Sequence, residues 1–324
     1  MSSHRPTKAD VARLANVSTA TVSYVLNDVA GRSISERTRE AVRRAADELG
    51  YRPNLAARNL ARGASGVVLY VVPRVALGEL AMEVGSRMTT ALARHGVLQI
   101  LQFETEDDSN VVDAIADLNP VAVTSLFPLA GPALTAVQAA GIPHIHLGSA
   151  ELNALGDLHL AVGELRVDHL TTRGHRHLAF AYTGVSRWRP LGDYWLTGTT
   201  EATRRRGLPD PVVGSVSAET AATIVAQWHR EGVTAVCAQS DETAFVVLHG
   251  IRLAGLRCPD DLAVMGVDAT PTAEVSFPPL TTVGFDAGAI VDVAVAAMLS
   301  ELGYPRVVRQ VEVPIASVIA RDST

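Results

Sequence analysis

Apolar positions recur at helical spacing near the start of the chain and as short continuous runs after it. Over Lys8 to Ala15, Val11, Leu14 and Ala15 share one face, and Thr7-Lys-Ala-Asp10 has the form of an N-cap with an acid three residues on. Asn16-Val17 predicts a tight turn, and Ser18 stands where it would cap a second helix over Thr19 to Asn27. That helix is two-faced: Val22, Val25 and Leu26 group on one side, with Thr19, Ala20, Ser23, Tyr24 and Asn27 on the other. Ser35 would cap a third helix, whose Ala41, Val42, Ala45 and Leu49 close a small core before Gly50 ends it.

From Gly66 onward the period changes. Apolar runs at 66–73, 97–103, 121–127 and 142–148 read as buried parallel strands, separated by helical segments near 79–95, 109–118 and 131–140. A second series follows at 177–184, 235–240, 262–268 and 280–285, with helices near 160–173, 193–206, 218–231, 242–255 and 286–303. Two successive α/β units of similar length predict two doubly wound lobes with a ligand cleft between them. Chain crossings are expected near 150–160 and 270–290, making each lobe discontinuous.

Between the two patterns lies "NLAARNLARG", residues 54–63. Pro53 suits a first helical turn and Gly63 a helix end, but the stretch is shorter than the roughly 12–15 residues that an isolated helix needs in water. It is expected to order only against a partner. Charge adds to this picture. Residues 1–66 hold eleven Lys and Arg against six acids, a net +5, so the remainder carries −11. A basic head on an acidic body suits an anionic polymer gripped at one end.

The head resembles the lac repressor family of bacterial transcription regulators. "TKADVARLANVSTATVSYVLN" is similar to that family's helix-turn-helix, and "ISERTREAVRRAADELGYRPNLAARNLARG" to its third helix and hinge. The resemblance implies an N-terminal all-α helix-turn-helix head over 1–52, a hinge helix and linker over 53–64, and a two-lobed periplasmic-binding-protein-like α/β domain over 65–324 for effector binding and dimerisation. Position by position it implies that Thr7, Asn27, Ser35 and Thr38 hold phosphates and that Thr19, Ala20 and Tyr24 choose bases in the major groove. Ser18, Thr21 and Ser23 combine capping with backbone contacts, or cap alone. Tyr51 leads into the hinge and joins the DNA-contacting set. Asn54 and Arg58 would hold phosphates or the groove edge, while Leu60 would wedge between central base pairs in the minor groove. The alternative for Leu60 is packing on the body.

The body resembles the same family more loosely, through "HLTTRGHRHLAFAYTG", "TAVCAQSDETAFVVLHGIRLAGLRCPDDLAVMGVD" and "PPLTTV". Asp241 stands where the family places a ligand-accepting acid, and would equally cap the helix that follows it. Asp268 shares that ambiguity, with a turn as its other role. Trp195 replaces the usual Arg, and the usual acid near Asp157 and Leu158 is displaced. The effector is expected to be sugar-like or, since a pocket so altered is poorly equipped for a polyhydroxylated sugar, a less polar metabolite, with Trp195, Trp188 and Tyr194 as a flat wall or else as lobe packing.

The implied function is a sequence-specific transcription regulator, a repressor, that binds a pseudo-palindromic double-stranded DNA operator as a homodimer under control of a small-molecule effector. Dimer contacts are expected at 79–95, 250–258 and 280–290. The rivals are a regulator with a non-functional effector pocket and an α/β enzyme. No GxGxxG, GxxxxGK[ST] or GxSxG occurs, and no cofactor is expected. His144 and His146 lack the further ligands of a metal site. Two cysteines, no apolar run of membrane-spanning length and no secretory signal predict a cytoplasmic, nucleoid-associated protein without a membrane partner.

Overall fold

The computed structural model describes residues 6–26, 34–51, 65–73, 79–147, 149, 152, 155, 157–304 and 314–324. Two compact units divide the chain, residues 1–66 and 67–324. Asn27 and the predicted hinge, 53–64 with Asn54, Arg58 and Leu60, lie outside the described residues.

In the first unit, helices α1 (Lys8–Leu14), α2 (Thr19–Leu26) and α3 (Glu36–Glu48) surround a core of Val11, Ala12, Val22, Val25, Val42 and Ala45. Each helix starts on a side chain read from the sequence. Thr7 and Asp10 form a reciprocal capping box, the Ser18 hydroxyl accepts from the Thr21 N–H at 3.0 Å, and Ser35 accepts from that of Thr38 at 3.2 Å. Asn16 takes the turn with φ 52°, a conformation that asparagine tolerates. Leu14 departs from expectation. It is exposed, and Ala12 takes the inward place, so the short helix turns its 11–12–15 face to the core.

The second unit holds two sheets. The first has the order β2-β1-β3-β4, with β1 (Val67–Val72), β2 (Leu98–Phe103), β3 (Ala122–Ser125) and β4 (His144–His146) all parallel. Between these strands run α4 (Glu79–Arg94), α5 (Ser109–Leu118) and α6 (Gly131–Ala140). After α7 (Leu158–Thr172) comes the second sheet, β5 (Leu178–Thr183), β6 (Val212–Val216), β7 (Ala235–Ala238), β8 (Ala263–Val267), β9 (Thr281–Phe285) and β10 (Ala316–Ile319), in the order β10-β9-β8-β7-β5-β6. Its helices are α8 (Arg189–Arg205), α9 (Ala221–Arg230), α10 (Asp241–Leu253) and the short α11 (Pro271–Val275). The strands β5, β7 and β8 are buried along their length apart from Thr183, which explains their unbroken apolar sequences.

Helix α12 (Ala287–Glu301) follows a strand of the second sheet yet packs on α4 of the first lobe. The chain then returns as β10, antiparallel to β9. This is the discontinuity expected from the sequence. Helices α7 and α8 cross so closely that a Cβ on Gly198 would lie 1.8 Å from the His159 carbonyl oxygen, and one on Gly163 2.1 Å from that of Gly198. No described helix is long and apolar enough to cross a membrane.

Candidate DNA-reading face and effector cleft

On the head, α2 buries Val22 and Val25 and turns Thr19 and Ala20 outward, with Ser23 and Tyr24 half-buried beside them. The face grouped by helical period is therefore assembled up to Leu26. Lys8 Nζ reaches Ser23 Oγ at 3.5 Å, placing the start of α1 beside this face. Ser18 with Thr21 (2.9 Å between hydroxyl oxygens) and Ser35 with Thr38 (2.8 Å) form hydroxyl pairs at the starts of α2 and α3. Free N–H groups at helix starts, with hydroxyls beside them, are suited to phosphate oxygens. Thr7 differs: both its N–H (2.9 Å) and its hydroxyl (2.6 Å) donate to Asp10. Tyr51 is also placed otherwise than expected, only 9% exposed, with its ring closing the head core because the chain turns back after Gly50 (φ +62°).

The body encloses a cavity of about 430 Å³ between its lobes. One wall is Tyr70, Leu80, Ala81, Val84, Leu126 and Leu147, and the facing wall includes Leu155, Leu158, Trp188, Leu191, Trp195 and Phe285. A polar rim of Thr183, Gln239, Ser240, Glu242, Thr243 and Asp268 lies along the C-terminal ends of the second sheet's strands, the usual ligand side of a doubly wound sheet. Trp195 stacks on Phe285 with ring centres 6.0 Å apart and meets Tyr194 edge-on at 4.9 Å. Trp195 thus does both things left open by the sequence, packing the lobe and lining the cavity. Gln239 sets Trp188 at the rim, donating to its carbonyl at 2.8 Å while its own side-chain oxygen accepts from Thr183 N–H at 3.3 Å. Gly192 leaves room for this, since a Cβ there would stand 2.6 Å from the Gln239 oxygen.

Of the two acids, only Asp268 borders the cavity. It follows β8 at φ +111°, held by its N–H donating to the Val283 carbonyl at 2.9 Å, and its carboxylate takes no hydrogen bond from a described residue. Burial pushes its pKa well above the usual carboxylate range, Asp241 and Glu242 add to the rise, and Arg166 opposes it. Asp241 lies outside the lining and is fully buried. One of its oxygens accepts from the Thr270 N–H (2.7 Å) and hydroxyl (3.1 Å), the other from the Thr282 hydroxyl (2.6 Å). Burial also raises its pKa, against the pull of those bonds. The helix start is capped by Ser240 instead, which accepts from Thr243 N–H at 3.2 Å.

Arg166 escaped the sequence reading. It is fully buried on α7, its guanidinium donates to the Ala238 carbonyl, and Nε and Nη1 meet no acceptor. Burial lowers its pKa while Cys237, Asp268 and Asp241 favour its charge. The signal was available: Val162, Arg166 and Leu170 recur every fourth residue on one buried stripe.

Comparison with known proteins places this geometry. The model for bacterial regulatory proteins of the lacI family matches residues 7–54, and that for a periplasmic binding protein-like domain matches 167–324. The HTH-type transcriptional regulator CelR of Thermobifida fusca is 30% identical over 312 residues, covering 86% of each chain. MalR of Streptomyces coelicolor is 28% identical across 98% of this chain and 96% of its own, and the repressor CytR of Escherichia coli K12 28% across 86% and 84%. Among solved structures, the lac repressor dimer bound to operator and the anti-inducer ONPF superposes with a TM-score of 0.73 at 24% identity, covering 99% of both chains. A CelR–cellobiose complex gives 0.63 at 25% identity, covering 99% and 100%. These relatives are transcriptional regulators rather than enzymes, and with its capped three-helix head and two-lobed body this chain belongs to the lacI family of bacterial regulatory proteins.

Proposed function

We propose that the protein is a cytoplasmic, nucleoid-associated repressor whose homodimer binds a pseudo-palindromic operator and whose grip on DNA responds to a small molecule in the interlobe cleft. The observation that carries this reading is the outward face of α2, with Thr19, Ala20 and Tyr24 beside hydroxyl-bearing helix starts on a basic head. Side chains of that kind read base edges, and the flanking helix starts fix register on phosphates. Residues 1–52 act as the reading head, 53–64 as the hinge and 65–324 as sensor and dimerisation domain. Asn27, Asn54 and Arg58 supply further backbone or groove contacts, and Leu60 enters the minor groove at the centre of the site.

Dimerisation is supported by apolar side chains left exposed on both lobes. Met82, Leu98, Leu101 and Phe103 mark the first lobe, and Leu253, Val275 and Phe277 the second. Of the segments expected at the interface, 79–95 carries exposed Met82 and 250–258 exposed Leu253. In 280–290 the stretch 280–284 is buried and Asp286 is exposed, with Val275 and Phe277 exposed just before it. In the cleft, Trp195 and Asp268 contact the effector, and Asp241 braces the turn behind them. Closure of the lobes changes the spacing of the two hinges, which then form or melt.

The test is selection of bound duplexes from a random pool by the full-length protein, followed by titration of the enriched site. A two-fold-related consensus is expected, with affinity falling steeply in salt. Leu60→Ala should weaken binding to that site while the protein remains dimeric. No enrichment over random competitor at modest salt would overturn the proposal, and unchanged affinity in Leu60→Ala would remove the wedge from it.

A further inference from the structure

The cleft is unusual in how its few polar groups are distributed. Its walls are apolar and aromatic, with Tyr70, Trp188, Trp195 and Phe285 presenting four rings. Its rim carries two carboxylates, Asp268 and Glu242, and no Lys, Arg or His is among its described lining residues. Neither carboxylate takes a hydrogen bond or ion pair from a described residue. Among the described residues, the guanidinium that acts on Asp268 is that of Arg166, which is fully buried and does not line the space. Glu242 is exposed at the outer edge and keeps its hydration. A half-buried carboxylate such as that of Asp268, set against apolar walls with no such partner, is costly, and the cost is relieved by a cation or a strong donor. Burial and the neighbouring acids push Asp268 well above the usual carboxylate range, consistent with that unmet need.

A second feature is independent of the acids. Trp195 is only 4% exposed, lines the cavity, and its indole N–H has no acceptor among the described residues. Buried indole N–H groups ordinarily find one, so the wall carries a donor waiting for an oxygen or nitrogen acceptor on whatever fills the space. Together the rings, the carboxylates and the indole N–H describe the complement of a molecule with an apolar body, a positive group and at most a few acceptors. A sugar, with donors and acceptors all round, would leave most of its hydroxyls against leucine and tryptophan without partners.

We infer that the cleft takes an organic amine: a cationic nitrogen on an apolar, ring-bearing body, with the ammonium held at the acidic rim of Asp268 and Glu242 and the body against Trp188 and Trp195. This rests on the reading of the cleft as the effector site and specifies the class of effector. Cation–π attraction to the indole faces adds to the charge pairing in the same direction.

The experiment compares isosteric probes on the full-length protein: tryptamine against tryptophol, cyclohexylmethylamine against cyclohexylmethanol, with cellobiose as the carbohydrate control. Binding is followed by calorimetry, and operator affinity is measured in parallel with and without each probe. Each amine is expected to bind at least tenfold more tightly than its alcohol. Asp268→Asn should abolish that preference and Glu242→Gln reduce it, with the thermal transition of each variant checked to show that it remains folded. Equal or tighter binding by the alcohols, tighter binding by cellobiose, or no amine binding at millimolar concentration would overturn the inference. If an alcohol or cellobiose binds and alters operator affinity, the effector reading stands and only the amine class falls. If no probe binds while operator selectivity persists, the amine class falls and DNA reading is unaffected. If no duplex is preferred in any condition, it is the repressor reading that fails.

Discussion

Asp241 offers the sharpest test of how the sensor is held together. The sequence leaves it as either a ligand acceptor or a structural acid, and the structure surrounds it with three donors and no space. Truncation to Ala would leave the Thr270 N–H without a partner, at about 1–3 kcal/mol. The hydroxyls of Thr270 and Thr282 would each lose a charge-assisted bond, for roughly 1 kcal/mol more apiece after they reorient. Asp241→Ala should therefore cost about 3–5 kcal/mol. Asp241→Asn behaves differently. Its oxygen can keep both bonds from Thr270, while its amide donates to the Thr282 hydroxyl, which is able to accept. Loss of charge assistance is then offset by relief of the burial that raises the Asp241 pKa, leaving a loss under about 2 kcal/mol. Urea unfolding of the body followed by fluorescence of its tryptophans reads both variants, as shifts in midpoint at constant slope. Gly266→Ala gives a separate check, since its Cβ would lie 2.1 Å from an Asp241 oxygen and displace the same carboxylate. If Asp241→Ala unfolds at the wild-type midpoint and loses only its response to ligand, the brace is wrong and Asp241 is an acceptor for the effector.

Other expectations follow from the packing and the charges. Gly198→Ala should destabilise the body by about 1–3 kcal/mol or more, because backbone atoms of the neighbouring helix cannot step aside; a wild-type urea midpoint would refute the close crossing. Asp268 has a raised native pKa, so it holds its proton to higher pH in the folded protein than in the unfolded chain. Its contribution to stability is full below the unfolded value near 3.9 and is lost as pH rises through the native value. Asp268→Asn should thus flatten the decline in stability above pH 4, leaving the smaller part due to Asp241; an unchanged pH profile of unfolding would contradict this. Tyr24→Ala should lower discrimination at one half-site position by about 1–3 kcal/mol while leaving binding to random duplex nearly unchanged, as read by competition with single-base operator variants.

The elements that periodicity reveals well are those with one strong physical demand. Buried parallel strands such as β5 and β7 need apolar residues on both faces, so their sequences announce them. Capped helices announce themselves through Thr7, Ser18 and Ser35. Among the described strands and α-helices, three were not foreseen, β6, β10 and the short α11. The first two are edge strands with exposed positions, and β6 carries Gly214, where a Cβ would strike Trp228 at 2.6 Å, so neither shows a continuous apolar run. Helix α8 begins at Arg189, earlier than expected, because Pro190 fits its first turn rather than ending a loop. In the cleft, Trp195 was legible as an aromatic where a charge was expected. The bracing role of Asp241 was not, because its side-chain partners Thr270 and Thr282 come from segments about thirty and forty residues away. Tyr51 shows the same limit: its proximity in sequence to the hinge did not announce that its ring packs in the head core.

The return of α12 to the first lobe bears on how such proteins diversify. A lobe assembled from two separated stretches of gene cannot be exchanged between relatives by a single recombination event. A cut between β4 and α7 would join one parent's strands β1–β4 to the other parent's α12, and the interface with α4 would be mismatched. Heads, by contrast, can be traded at one joint. Descendants of this architecture should therefore acquire new operators by shuffling and new signals by point substitution within the cleft.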